Sequence, residues 1–158
     1  MVSAGQVIRA ADVAVQACRV TRTTAQSLPD ASTATVNFDD EAFDTDGMHD
    51  VATNNSRITI NEAGIYIVGF NGDLTAGTDY TRIVVTLVIN GTTGIARSHH
   101  NSTTSSVTQV VGVNTVYQFQ AGDYVEVQIF QDNTANTARD LLVTADRSPV
   151  FYAARIGS

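Results

Sequence analysis

From Tyr124 to Phe130 the chain alternates, with Val125, Val127 and Ile129 on one face and Glu126 and Gln128 on the other. A side-chain period of two is strand geometry, so one face of this segment is built for burial and the other for water. The rhythm recurs. Arg57–Ile60 alternates, turns through Asn61–Gly64 and resumes over Ile65–Phe70. Arg82–Ile89 runs into Asn90-Gly91, a hairpin signal because both residues tolerate the positive φ of a type I′ turn, and returns over Thr92–Arg97 or slightly beyond. Val107–Phe119 is a long β-prone run. Ala121-Gly122-Asp123 turns it into the alternating segment, and Val150–Ile156 closes the chain behind Pro149, where a strand start tolerates proline.

Helical periodicity is scarce. Only Gln6–Val15 could hold a short helix, and Gly5 and the β-branched residues weaken even that. Loops rich in Thr, Asn, Ser and Asp are expected at Thr45–Asn55, Thr75–Tyr80, Ser98–Ser106 and Asp132–Asp140. Eight or more antiparallel strands without a helical layer make an all-β sandwich or jelly roll. The jelly roll stands ahead of the immunoglobulin-like sandwich, whose Cys…Trp…Cys pattern is missing.

Composition narrows the function classes. The 158 residues carry 16 Asp and Glu against 9 basic residues, all of them Arg, for a net charge of −7. A nucleic-acid binder would show a basic stripe, and a polybasic membrane anchor a Lys/Arg cluster; neither is present. Apolar runs such as Ile83–Ile89 are far shorter than the roughly 20 residues that span a bilayer. Met1–Gln6 lacks the basic and apolar regions of a signal peptide. Cys18 is the only cysteine, which excludes an intrachain disulfide and a cysteine-based zinc site; it reads as a small buried hydrophobe. No cofactor is called for.

Taken in order, several segments resemble the globular head of complement C1q and its tumour-necrosis-factor-like relatives. Phe43–Asp50 precedes Ser56–Val68, in which Gly64 and Tyr66 fill that family's Gly-x-Tyr, although its preceding Pro is missing here. Leu87–Gly91 matches the family's Asn-Gly hairpin, Phe119–Val125 its Leu-x-x-Gly-Asp-x-Val, and Phe151–Ala154 loosely its closing strand. The match spans roughly Cys18 to Ile156. The sequence more closely resembles small structural proteins of tailed bacteriophages, particularly those infecting actinobacteria. The carriers are Phe43–Asp50, Asn90-Gly91-Thr92 followed by Ile95-Ala96-Arg97, Ala121–Glu126 and the opening Ala4–Val13.

These resemblances imply a homotrimeric jelly roll on the virion exterior, with residues 18–158 as the head and residues 1–17 as an arm. Val7, Ile8, Arg9 and Val13 would anchor that arm to the major capsid protein or another virion protein. The resulting expectation is a non-enzymatic decoration or head-knob protein. Its rival is a tail or baseplate knob that adheres to a host cell-surface glycan.

Candidate chemistry is weighed against turn chemistry and packing. Asp39, Asp40, Asp44, Asp46 and Asp50 supply hard oxygen ligands, and Asp44, Asp46 and Asp50 are the calcium candidates. No twelve-residue loop ending in Glu frames them, and Asp also suits turns, so no metal is assigned. His99 and His100 are adjacent on a strand and point to opposite faces, which is poor placement for one ion. His49 reads as a loop residue. No nucleophile elbow, zinc helix or phosphate loop frames the Ser, His and Asp present. Tyr66, Tyr117, Tyr124 and Tyr152 read as core or interface residues. Asp79 and Tyr80, beside the Thr75–Asp79 loop, form the candidate glycan contact.

Overall fold

The computed structural model describes residues 15–101, 106–145 and 149–158. They form twelve strands: β1 Ala17–Thr21, β2 Gln26–Leu28, β3 Ser32–Thr35, β4 Asp40–Asp44, β5 Arg57–Thr59, β6 Gly64–Leu74, β7 Tyr80–Ile89, β8 Thr93–Asn101, β9 Gln109–Phe119, β10 Tyr124–Asn133, β11 Arg139–Leu142 and β12 Val150–Gly157. The anchoring candidates Val7, Ile8, Arg9 and Val13 lie outside the described residues.

Two antiparallel sheets face each other in a jelly-roll sandwich. In the seven-stranded sheet, β6 pairs along its whole length with β9. Its other edge pairs with β12 and, at Asp73 and Leu74, with β11. The sheet continues from β12 to β1 and β4, and from β11 to β2. The second sheet runs β5-β10-β7-β8. The segment after β3 lies along β10, where the Val36 amide donates to the Val127 carbonyl at 2.9 Å.

The core follows from the period of two. Val125, Val127 and Ile129 of β10 and Ile83, Val85 and Leu87 of β7 are buried, facing Tyr66, Val68 and Phe70 of β6 and Phe151 and Ala153 of β12. Phe38 reaches this layer from the stretch between β3 and β4, edge-on to Phe70 at 6.4 Å and tilted against Phe151 at 5.3 Å. Tyr66 and Phe119 meet in a T-shape at 5.8 Å. Cys18 sits inside at 1% exposure. Burial, with Asp44 and Glu41 nearby, pushes its thiol far up, so it stays protonated and unreactive.

The hairpin closes as its chemistry requires. Asn90 and Gly91 both have positive φ (52° and 71°), and the Thr92 amide donates to the Ile89 carbonyl at 3.2 Å. Three boundaries differ from the sequence expectation. The return strand β8 reaches Asn101, absorbing the start of the expected Ser98–Ser106 loop because it pairs with β7 back to Arg82. Strand β10 runs to Asn133 and β11 begins at Arg139, which leaves only 134–138 of the expected Asp132–Asp140 loop. Tyr80 is the first residue of β7 rather than a loop edge. At the other end the chain enters the head by Gln16, which is 2% exposed and accepts a hydrogen bond from the Tyr66 hydroxyl at 2.9 Å.

Candidate functional site

Among the described residues, no third layer packs on the outer face of the seven-stranded sheet. Alternation in β9 sends Val111 and Val113 inward and leaves Val110 and Val116 69% and 56% exposed. Directly opposed residues share a face, so register assembles the outer rows. Val116 lies beside Ile67, then Ala154, then Ala17; the next row is Asn114, Gly69, Tyr152, Arg19 and Phe43. The Tyr152 ring lies across Gly69, so a Cβ there would run into its hydroxyl end and the ring would have to move aside. Neither row contains a carboxylate. The first row is apolar, and an exposed apolar row on an acidic chain is an interface feature.

The carboxylates singled out from the sequence serve turns. Asp44 accepts the Asp46 amide on one oxygen and the His49 amide on the other, at 3.1 and 2.8 Å. Asp50 accepts the Ala52 and Thr53 amides, which hold its carboxyl below the usual range. Asp46 takes no part in a shared set with them. Among the described residues no three His, Cys, Asp or Glu side chains come together as metal ligands. His49 is nearly buried in the loop between β4 and β5, its Nδ1 2.9 Å from Glu41 Oε1 and its Nε2 3.3 Å from the Asn55 carbonyl. His99 and His100 sit on β8, opposite Val84 and Ile83, on the two faces of that sheet.

Asp79 and Tyr80 are adjacent but do not form an open cleft. Both Asp79 oxygens accept from Arg139 Nη2 at 2.6 Å, and the Arg139 guanidinium lies 5.5 Å from the Tyr80 ring centre. Tyr80 is 1% exposed and its hydroxyl donates to the Thr75 carbonyl at 2.8 Å. This corrects the expected loop-tip aromatic: the ring's face is turned into the core, where no sugar can stack. Burial, opposed in part by Arg139, pushes the Tyr80 phenol up to about 12 from 10.0. The folded state therefore holds this proton more tightly than the unfolded chain does. The stability it contributes is complete below pH 10 and lost as pH rises toward 12. Thermal melts should show Tyr80→Phe less stable than the parent at pH 8, with the gap narrowing above pH 10. A gap that stays constant would contradict this reading.

A second concavity lies on the outer face of the four-stranded sheet. Its cavity of about 360 Å³ is lined by Thr33, Arg82, Val84, Thr86, Val88, Gly91, Thr92, Gly94, Arg97, Gln128 and Phe130. Sequence reasoning missed this site and the apolar rows. Their signal was present in the alternate residues Arg82, Val84, Thr86 and Val88, and in Val110 and Val116 within a run read only as β-prone.

The C1q domain model matches residues 17–144, most of the chain. The chain belongs to the C1q domain family. This C1q domain has solved structural neighbours in murine APRIL at pH 5.0, with a TM-score of 0.66 at 10% identity over 90% of this chain and 99% of that one. Another is the globular domain of zebrafish complement 1qA protein, with a TM-score of 0.60 at 17% identity over 87% and 94%. Identities this low show the shared fold. No curated protein matches the chain. C1q and tumour-necrosis-factor-like domains form homotrimers, and most are non-enzymatic ligands or structural proteins.

Proposed function

We propose that this C1q domain is a non-enzymatic homotrimeric head, displayed on the exterior of a tailed-phage virion and held there by the chain's N-terminal arm. The observation that carries the trimer is the outer face of the seven-stranded sheet, where Val116, Ile67, Ala154 and Ala17 form an apolar row that no described strand of the same chain covers. Three copies around a threefold axis bury that row. Trimerisation also turns three weak arm contacts into one firm attachment.

The phage context rests on the resemblance of Phe43–Asp50, the Asn90 hairpin and Ala121–Glu126 to small virion proteins. The described chain starts into β1 on the same sheet as the apolar row, so the arms of a trimer would leave from neighbouring places. The test is co-sedimentation with emptied capsids of an actinobacterial phage that encodes the chain. The full chain should pellet with the capsids, and the chain lacking residues 1–14 should stay in solution. Equal pelleting of both, or of neither, contradicts the proposed anchoring.

A further inference from the structure

We infer that the concavity on the four-stranded sheet is a binding site for an acidic saccharide, one whose carboxylate is held by Arg97 while Arg82 walls the far end. The reading goes beyond the particle role, because this face lies on the opposite side of the sandwich from the apolar rows.

The shape comes from the sequence. Strand β8 bulges where Val88 pairs with Gly94 and Leu87 with Ala96. Gly94 presents no side chain there, and a Cβ would already press Thr86 Cγ2 at 3.2 Å. The hairpin end of the face is thus hollow. At the far end the Arg82 guanidinium lies 4.4 Å over the Phe130 ring, which fixes a long side chain before any ligand arrives. Between them, register aligns Gln128, Thr86 and Arg97 across three strands. The floor is Val84 and Val88, and the volume falls at the small end of the range for ligand sites, about 300–1,000 Å³.

The charge is the decisive observation. The chain has 16 acidic and 9 basic residues, yet two of its arginines and none of its carboxylates line this pocket. Two carboxylates share the face at its rim, Glu126 opposite Val88 and Asp132 opposite Arg82, so protein charge offsets Arg82 and leaves Arg97 as the unopposed cation. Glu126 accepts from the Ser56 hydroxyl at 2.6 Å, and Asp132 from Thr81 at 2.8 Å. Arg97 is exposed and has no acidic partner among the described residues. A guanidinium fork unopposed by protein charge suits a carboxylate bidentately. The Thr86 hydroxyl and Gln128 amide beside it suit sugar hydroxyls. A neutral sugar would leave Arg97 unused, and a bare anion would leave the hydroxyl-binding row unused.

The test is calorimetric titration of the full chain with a disaccharide containing glucuronate, with its neutral glucose counterpart, and with inorganic sulfate. The acidic disaccharide should bind at least tenfold tighter than either comparison, and Arg97→Gln should remove that preference. Arg97 is exposed on β8, so an unchanged melting temperature will show that the variant folds; Arg82→Gln supplies an independent second variant. Equal binding of acidic and neutral sugars, sulfate binding as tight as the disaccharide, or full binding by Arg97→Gln would each overturn the assignment. Light-scattering mass, read separately, reports on the trimer and is unaffected by these outcomes.

Discussion

Val116→Arg is expected to yield a folded monomer. Val116 is 56% exposed on the outer face of β9, so the substitution touches no core contact and the single-chain sandwich keeps its packing. In the proposed trimer the same position is buried against another copy, beside Ile67 and Ala154, which offer a guanidinium no carboxylate. Burying an unpaired charge costs several kcal/mol even after relaxation. Threefold symmetry imposes that cost at each of three interfaces, which exceeds what a set of small contacts can offset. Light scattering should therefore give about one third of the parent mass, with the β-sheet circular dichroism retained. A variant that keeps the parent mass would exclude this row from the assembly face.

Phe38→Ala should destabilise the head more than any surface change. The ring is fully buried and touches Phe70 from one sheet element and Phe151 from another, although Phe38 itself belongs to no strand. Its backbone amide donates to the Asn55 carbonyl at 2.8 Å, which ties this segment to the loop that leads into β5. Removing a buried Phe leaves a cavity worth about 3–5 kcal/mol, a large share of the roughly 5–15 kcal/mol that holds a domain together. The melting temperature should fall by about 6–20 °C for a chain of this size. Val51→Ala is the control. Val51 is 43% exposed in the loop after β4 and lies in neither outer row, so thermal stability should scarcely change. A similar loss for both variants would mean that Phe38 is not the core support described.

What was legible in the sequence was what period-two patterning records. Strands β7, β9, β10 and β12 are long, with one buried face, and each was readable from its residues. Strands β1 to β4 and β11 were not. They are three to five residues long, and β3, as Ser32-Thr33-Ala34-Thr35, carries no apolar alternation; its position comes from the neighbouring Val36 and its bond to β10. Such strands form because a sheet edge is already there to pair with. The Asp-rich loop showed the opposite failure. Asp44 and Asp50 offered metal chemistry on paper, and their oxygens went to backbone amides two to five residues away.

The same limit governed the candidate sites. Tyr80 stood next to a turn in the sequence, and only the pairing of β7 with β10 shows that its ring enters the core. Arg82 and Arg97 are fifteen positions apart, and no linear motif links them. The hairpin at Asn90 folds β8 back on β7 and brings both to one hollow. Conversely, Val116 looked like one more apolar residue in a long run. Its meaning depends on which face of β9 the buried Val111 and Val113 select.

The measurement that tests the account most directly is the mass of the purified chain in solution by light scattering, with and without residues 1–14. The account predicts a homotrimer in both cases, about 50 kDa for three copies of the 16.8 kDa chain and slightly less when truncated. A monomer in both forms would contradict it, because the apolar rows of Val116, Ile67 and Ala154 would then stand open to water with no assembly to explain them.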